Sequence, residues 1–431
     1  MYTRPRGTRD YLPPETSVRR RVCEAFRKVF ELYGYGEIVT PAFEHLELLE
    51  AKAGPDVKEQ IYWFEDKAGR KLGLRFELTT SIARVVAANP MVPKPIRFYY
   101  IQPVWRYEEP QKGRLREFWQ AGVELIGQSG PLADAEVVAV TSRALHAAGL
   151  DRIRILLSNR KVVEGMLREE GIRPEHVEEG LRALDKLEKR GVEYVRSELI
   201  RLGVPETRVE GLLDLLTARD DSDRAMDEVE RRYESELVRQ GLRDLAEAVD
   251  VLKSCYGLGG EVVVDLSVVR GLAYYTDLVF EAKAVGAEDI GSVAGGGRYD
   301  DLIKVVGGPE LPATGMSIGV ERVIEALRTL GTLPSEDHVP AKALVVPVKI
   351  ELLKDAVRVA ERLREAGVSA IIEYTARSLR STLEKANKIR IPYVVIVGER
   401  EVKSGIFTLK DLKHWREIKA DISRIIEILR S

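Results

Sequence analysis

At 431 residues, with 45% apolar and 32% charged side chains, the chain can bury a large core and is expected to hold two or three domains. A formal charge of −2 supplies no global positive field for nucleic acid, so any RNA contact must come from local patches. Two cysteines, Cys23 and Cys255, lie far apart without CxxC spacing, and the five histidines are scattered, which argues against thiolate metal sites and structural zinc.

The chain opens on MYTRPRGTRDYLPP, which lacks the apolar core of a signal peptide, and no apolar run reaches membrane-spanning length. With so few cysteines, this gives the expectation of a cytoplasmic protein. Sparse Asn and Gln beside abundant Glu, Arg and Lys fit a thermophilic composition. After Pro13 and Pro14, apolar residues at Val18, Val22, Phe26, Val29, Phe30 and Tyr33 keep helical spacing and predict a helix over about Thr16–Tyr33, stopped by Gly34. Tyr35–Leu49 follows with Pro41 placed where a strand would be interrupted. Leu72–Ala88 predicts a strand ending near Glu77, then a helix capped by Thr79 or Thr80.

Val104–Gly127 holds two strand-like runs around the loop Glu109–Arg116, which carries Lys112, Gly113, Arg114 and Arg116. Alternation places Arg106 and Glu108 on one face of the incoming strand. On the outgoing strand, Phe118, Gln120, Gly122 and Glu124 share one face, and Trp119, Ala121, Val123 and Leu125 the other. A solvated face explains such a polar row by default, but has little use for the Gly and Phe inside it. A nucleotide and a polar small molecule would use the aromatic, the guanidinium and both carboxylates.

Met166–Val249 is charge-dense, helical in pattern and free of strand-like runs, so it is expected as a helical insertion between two strand-rich blocks. Strands return over Glu261–Glu281, around Arg270-Gly271-Leu272-Ala273-Tyr274-Tyr275-Thr276, and Ala294–Leu302 reads AGGGRYDDL. The glycine triplet lacks the Lys-Ser/Thr of a P-loop and the order of a dinucleotide fold. Gly315–Arg328 is a strand-to-helix joint with Gly319 and Arg322 early in the helix, where the positive helix end suits phosphate. Thr332–Pro340 is expected as a linker. Beyond it, strand runs at Ala343–Pro347, Val368–Glu373 and Pro392–Val397 alternate with helical patterns at Leu352–Ala366 and Leu379–Ile389, a small α/β domain. Arg377, Arg380, Lys385, Lys388 and Arg390 form a local basic patch there, open to RNA or solvent.

These residues carry a resemblance. RGTRDYLP at Arg6–Pro13, Arg106-x-Glu108 with its basic loop and Arg114-x-x-x-Phe118, RGLAYY from Arg270, GGGRYD from Gly295 and GMSIGVER from Gly315 resemble, in order, the signatures of the histidyl-tRNA synthetase family, within the class II aminoacyl-tRNA synthetases. The departures are Phe76, Leu78, Ala273, Asp277 and Ala376. Asp277 would add a negative charge near the site.

The resemblance implies an α+β catalytic domain over 1–330, a class II antiparallel sheet flanked by helices. It would be interrupted by the helical insertion 166–249 and followed by a linker, 331–340, and a C-terminal α/β anticodon-binding domain, 341–431. It implies activation of L-histidine by ATP with Mg²⁺, transfer to the 3′ end of tRNA(His), and a homodimer, with no membrane and no structural metal. Arg106 and Arg270 would be catalytic, opposed across the α-phosphate. Glu77, Leu78, Thr79, Gln120, Glu124, Tyr274, Tyr275 and Tyr299, with both arginines, would line the histidine pocket. Glu108 would read the adenine amino group, Phe118 would stack on the ring, and Arg114 and Arg322 would grip the outer phosphates. Glu124 with Tyr275 would serve the two ring nitrogens of the substrate. Strand alternation would put Tyr274 and Tyr275 on opposite faces unless a bulge intervened. Rival readings are the regulatory paralogue of ATP phosphoribosyltransferase, which typically lacks the C-terminal domain, a prolyl or threonyl enzyme, and a non-catalytic RNA-binding module.

Overall fold

The computed structural model describes residues 2–51, 58–109, 114–218, 222–270, 274–333, 341–375 and 378–430, apart from the side chains of residues 222, 223 and 225. Lys112, Gly113, Ala273, Ala376, Arg377 and most of the expected linker therefore lie outside the described residues. The chain divides into two compact units, Met1–Ser335 and Glu336–Ser431.

In the first unit the strands are β1 (Gly36–Glu37), β2 (Phe43–His45), β3 (Trp63–Glu65), β4 (Lys71–Leu74), β5 (Ile96–Trp105), β6 (Glu117–Ile126), β7 (Ile153–Asn159), β8 (Val262–Val264), β9 (Leu278–Ala284), β10 (Ser292–Arg298) and β11 (Ala313–Gly319). Eight of them form one sheet in the order β1-β5-β6-β11-β10-β9-β7-β8. Its body is antiparallel, and each edge strand, β1 and β8, is parallel to its neighbour. Pro41 falls between β1 and β2, which belong to different sheets, because β2, β4 and β3 make a small sheet of their own.

The helix predicted from Thr16 to Tyr33 spans Glu15–Leu32, and Val18, Val22, Phe26, Val29 and Phe30 are its buried face. At about 1.5–3 kcal/mol for each fully buried large apolar side chain, that stripe is what holds the helix to the sheet. It joins Ala121, Val123 and Leu125 of β6 in one cluster, with Trp119 packed against it. The opposite face of β6 is polar but not solvated, for Gln120 is 6% and Glu124 1% exposed.

Helices run from Arg160 to Ser254, beginning with Arg160–Glu169 and ending with Glu236–Ser254. Their apolar faces share one continuous cluster with the helix Glu15–Leu32 and the large sheet, so this block has no separate core.

The second unit holds β12 (Ala343–Pro347), β13 (Ala370–Ile372), β14 (Tyr393–Val397), β15 (Ile406–Asp411) and β16 (Arg416–Asp421), in the order β13-β12-β14-β15-β16. The first three are parallel, with the helices Leu353–Glu365 and Leu379–Lys388 as crossovers. The β15–β16 hairpin was not anticipated from sequence. The basic patch is partly neutralised, since Lys385 pairs with Glu373 at 2.9 Å and Arg380 with Glu384 at 3.2 Å.

Candidate active site

The polar face of β6 forms the floor of an open cleft of about 370 Å³. Glu77, Thr79, Arg106, Gln120, Arg270, Tyr274, Tyr275 and Tyr299 all line it. Glu124 lies beneath, where one carboxylate oxygen accepts the Thr79 hydroxyl at 2.7 Å and the other the Tyr299 hydroxyl. Burial pushes this carboxyl up to about 8, against the pull of those hydrogen bonds. Leu78 does not face the cleft. Its side chain is fully buried in a neighbouring apolar cluster.

The room beneath the cleft comes from missing side chains. A Cβ on Gly315 would lie 1.7 Å from the Glu124 carboxylate, and one on Gly122 would lie 2.4 Å from the Tyr100 hydroxyl. The glycine triplet works the same way, since a Cβ on Gly295 would lie 2.6 Å from the Arg270 guanidinium. These glycines admit close neighbours.

Four local expectations need correction. Neither Thr79 nor Thr80 caps the helix Thr79–Ala88; the Glu77 carboxylate does, accepting the Thr79 amide at 2.5 Å and the Thr80 amide at 2.9 Å. Its longer arm reaches two of the unsatisfied amides of the first turn. The incoming strand stops at Trp105, so Arg106 and Glu108 are not strand neighbours. The Arg106 amide still donates to Arg116 O at 2.9 Å, one bond past the ladder. Tyr274 and Tyr275 precede β9 and need no bulge to face one cleft; their rings lie 4.8 Å apart. Asp277 adds no free charge to the cleft, because Lys161 and Asn159 each donate to it at 2.5 Å.

Arg270 holds a left-handed backbone, φ 58°, and pairs with Glu281 at 2.7 Å. Burial pulls its guanidinium down, but Tyr275 and Glu281 outweigh that and hold it above the ordinary arginine value. Glu281 also accepts the Ser292 hydroxyl, and Arg322 donates to Ser292 O at 2.5 Å. The chain Arg270–Glu281–Ser292–Arg322 thus joins two of the predicted phosphate-side arginines. Burial, with Arg114 and Arg106 nearby, pulls Arg322 down to about 10. Arg106 is lowered chiefly by burial, donates to Phe76 O at 2.9 Å and lies 5.3 Å from the Phe118 ring. Glu108 and Arg114 pair with each other at 2.7 Å. So many positive charges around one cleft call for an anion. Arg270 Nε and Gln120 Oε1, both on its lining, are buried without a hydrogen-bond partner.

Tyr100, Met316 and Ser317 also line the cleft and were missed. Gly122 was the available signal for Tyr100, its partner across β5 and β6. Also missed was Arg298, whose guanidinium grips Asp134 through Nε–Oδ2 at 3.0 Å and Nη2–Oδ1 at 2.9 Å, both side chains buried. This fork anchors the end of β10 immediately before Tyr299.

The family model described as histidyl-tRNA synthetase matches residues 7–323, and an anticodon binding domain matches 342–431. The chain is 41% identical to the histidine–tRNA ligase of Thermococcus kodakarensis over 98% of this chain and 97% of that one. It is 38% identical to that of Pyrococcus furiosus over 100% and 99%. Among solved structures, the histidyl-tRNA synthetase from Nostoc sp. PCC 7120 is similar with a TM-score of 0.83 at 28% identity, covering 100% of this chain and 99% of that one.

Proposed function

The chain belongs to the histidyl-tRNA synthetase family, and from that premise we infer that it activates L-histidine with ATP, releases pyrophosphate and transfers the histidyl group to the 3′ end of tRNA(His). The observation that carries the reading is Glu124, buried and fixed by Thr79 and Tyr299 below a cleft that both Arg106 and Arg270 line. An imidazole has two ring nitrogens for polar partners, whereas an apolar competitor would leave Gln120 Oε1 buried without a partner and be rejected strongly.

In the activation step the histidine carboxylate attacks the α-phosphorus. The bond from phosphorus to the bridging oxygen breaks, and its electron pair leaves with pyrophosphate. We assign Arg106 and Arg270 to the charge that builds on the α-phosphate, with catalysis coming from positioning and fixed positive charge. Glu281 holds Arg270 in place for that role. Glu77 takes the substrate ammonium; an ionised carboxylate has about four acceptor sites, so its two amide bonds leave capacity. Glu108 and Phe118 take the adenine, which requires Glu108 to exchange its Arg114 contact, and Arg114 and Arg322 take the outer phosphates. Mg²⁺ enters with the ATP phosphates as part of the nucleotide substrate. Tyr274, Tyr275 and Gln120 complete the amino-acid pocket.

We further assign catalysis to residues 1–330, with 166–249 as an insertion, and anticodon binding to 341–431 beyond a linker at 331–340. A second copy of the chain is the expected partner of the exposed strip Val39, Phe43, Trp63 and Phe64 beside Pro41, giving a homodimer. Two free cysteines fit a reducing cytoplasm, and among the described residues no helix is long and apolar enough to cross a membrane.

The test is histidine-dependent ATP–pyrophosphate exchange, with and without tRNA, on the wild type and Arg270→Ala. We expect exchange that requires histidine and falls about 10²–10³-fold in the variant, the usual effect of deleting one transition-state donor. Histidine binding without exchange in a folded wild type would assign the chain to a non-catalytic regulator instead.

A further inference from the structure

Among the described residues three that are not glycine hold a left-handed backbone, and two of them, Arg390 (φ 60°) and Trp415 (φ 53°), lie in the C-terminal unit. A large side chain is out of place in that conformation. Trp415 occupies the turn between β15 and β16 and is 77% exposed, so packing offsets little of the strain. The turn itself is well built. One oxygen of Asp411 accepts the amides of Lys413 at 2.9 Å and His414 at 3.0 Å, and the other meets His414 Nδ1 at 2.8 Å. The Leu412 amide donates to Pro392 O at 2.8 Å, which ties the turn to the segment leaving the helix Leu379–Lys388 through Arg390.

Lys388, Arg390, Lys413 and Arg416 are all exposed at this end of the unit. The nearby acids are engaged, Asp411 with His414 and Glu417 with Lys410 at 2.5 Å. We propose that this turn, with Trp415 at its tip and Lys413, Arg416 and Arg390 around it, receives unpaired bases of the tRNA. The indole supplies a stacking face that any base can use, and the cations meet the flanking phosphates. An apolar protein partner fits less well, because it would take the exposed charges of Lys413 and Arg416 out of water. The proposal rests on the reading of the chain as a tRNA ligase and assigns one part of its RNA surface.

The test uses the full chain with Trp415→Gly, Trp415→Tyr and the pair Lys413→Ala, Arg416→Ala. Glycine is at home at a positive φ, so Trp415→Gly should keep or raise the melting temperature. It should leave histidine-dependent exchange unchanged while raising KM for tRNA in aminoacylation about tenfold or more. Trp415→Tyr should stay within about threefold of wild type, since its ring still stacks. The double variant should flatten the dependence of log KM on log salt. An unchanged KM in Trp415→Gly overturns the proposal and returns the tip to docking a protein or to no role. A KM rise accompanied by a fall in melting temperature also overturns it, assigning Trp415 to the folding of the hairpin. Absence of exchange in the wild type would defeat the parent reading, an outcome separable from either of these.

Discussion

Glu124 lies fully buried with two hydroxyls on its oxygens, and its carboxyl titrates near 8 instead of the ordinary 4.5, chiefly through burial. Between those values the folded chain holds a proton that the unfolded chain has released, so this group makes stability fall as pH rises through the window. Glu124→Gln removes that dependence. The melting temperature of the variant relative to wild type should be lowest near pH 4.5, rise towards pH 8 and then level off, while KM for histidine rises at least tenfold. A difference that does not change with pH would show that Glu124 is ionised throughout. Residues of this kind were legible because period-two alternation in β6 separates Gln120 and Glu124 from Ala121 and Val123. The Glu77 cap was less legible, since a carboxylate two residues before a helix is compatible with either capping or ligand binding.

At the scale of elements, the end of β10 depends on a helix far away in sequence. Asp134, in the helix Pro131–Ala147, and Arg298 form a buried fork, with Asp300 a further partner of Arg298 at 3.0 Å. Removing Asp134 takes away the buried partner of Arg298 and leaves the guanidinium Asp300 and the carbonyls of Gln128 and Gly130, so Asp134→Ala should destabilise the unit by about 1–3 kcal/mol in denaturant unfolding. It should also weaken histidine binding through Tyr299, the next residue. A loss below about 1 kcal/mol would mean that water reaches Arg298. No local pattern announces such a pair, because the partners are 164 positions apart. The long helices and the core strands were legible from periodicity, which is local. Tyr274 and Tyr275 were legible as lying between the strand runs Val262–Val264 and Leu278–Phe280, but the way their rings face was not, because alternation holds only inside a strand. The β15–β16 hairpin was lost for a different reason: in Arg416–Asp421 one face is charged and exposed, and the other offers only Ile418 and Ala420, both half-buried, too short a signal for a strand.

For the whole molecule, the important distinction is which parts share a core. The helices from Arg160 to Ser254 merge their apolar faces with the large sheet, whereas the C-terminal unit packs on two clusters of its own, around Val395 and around Val394. A chain ending at Ser335 should therefore fold, keep histidine-dependent exchange within about tenfold and charge tRNA at least 10²-fold less efficiently; failure of that chain to fold would show that the first unit needs the second. The same architecture bears on how such a gene can be assembled. A recombination break within the Arg160–Ser254 helices would divide a shared interior and leave two unstable halves, so those helices are inherited with the sheet they cover. A break near Ser335 cuts no common interior, and the C-terminal unit can be joined to an unrelated catalytic body, or lost from this one, in a single genetic event.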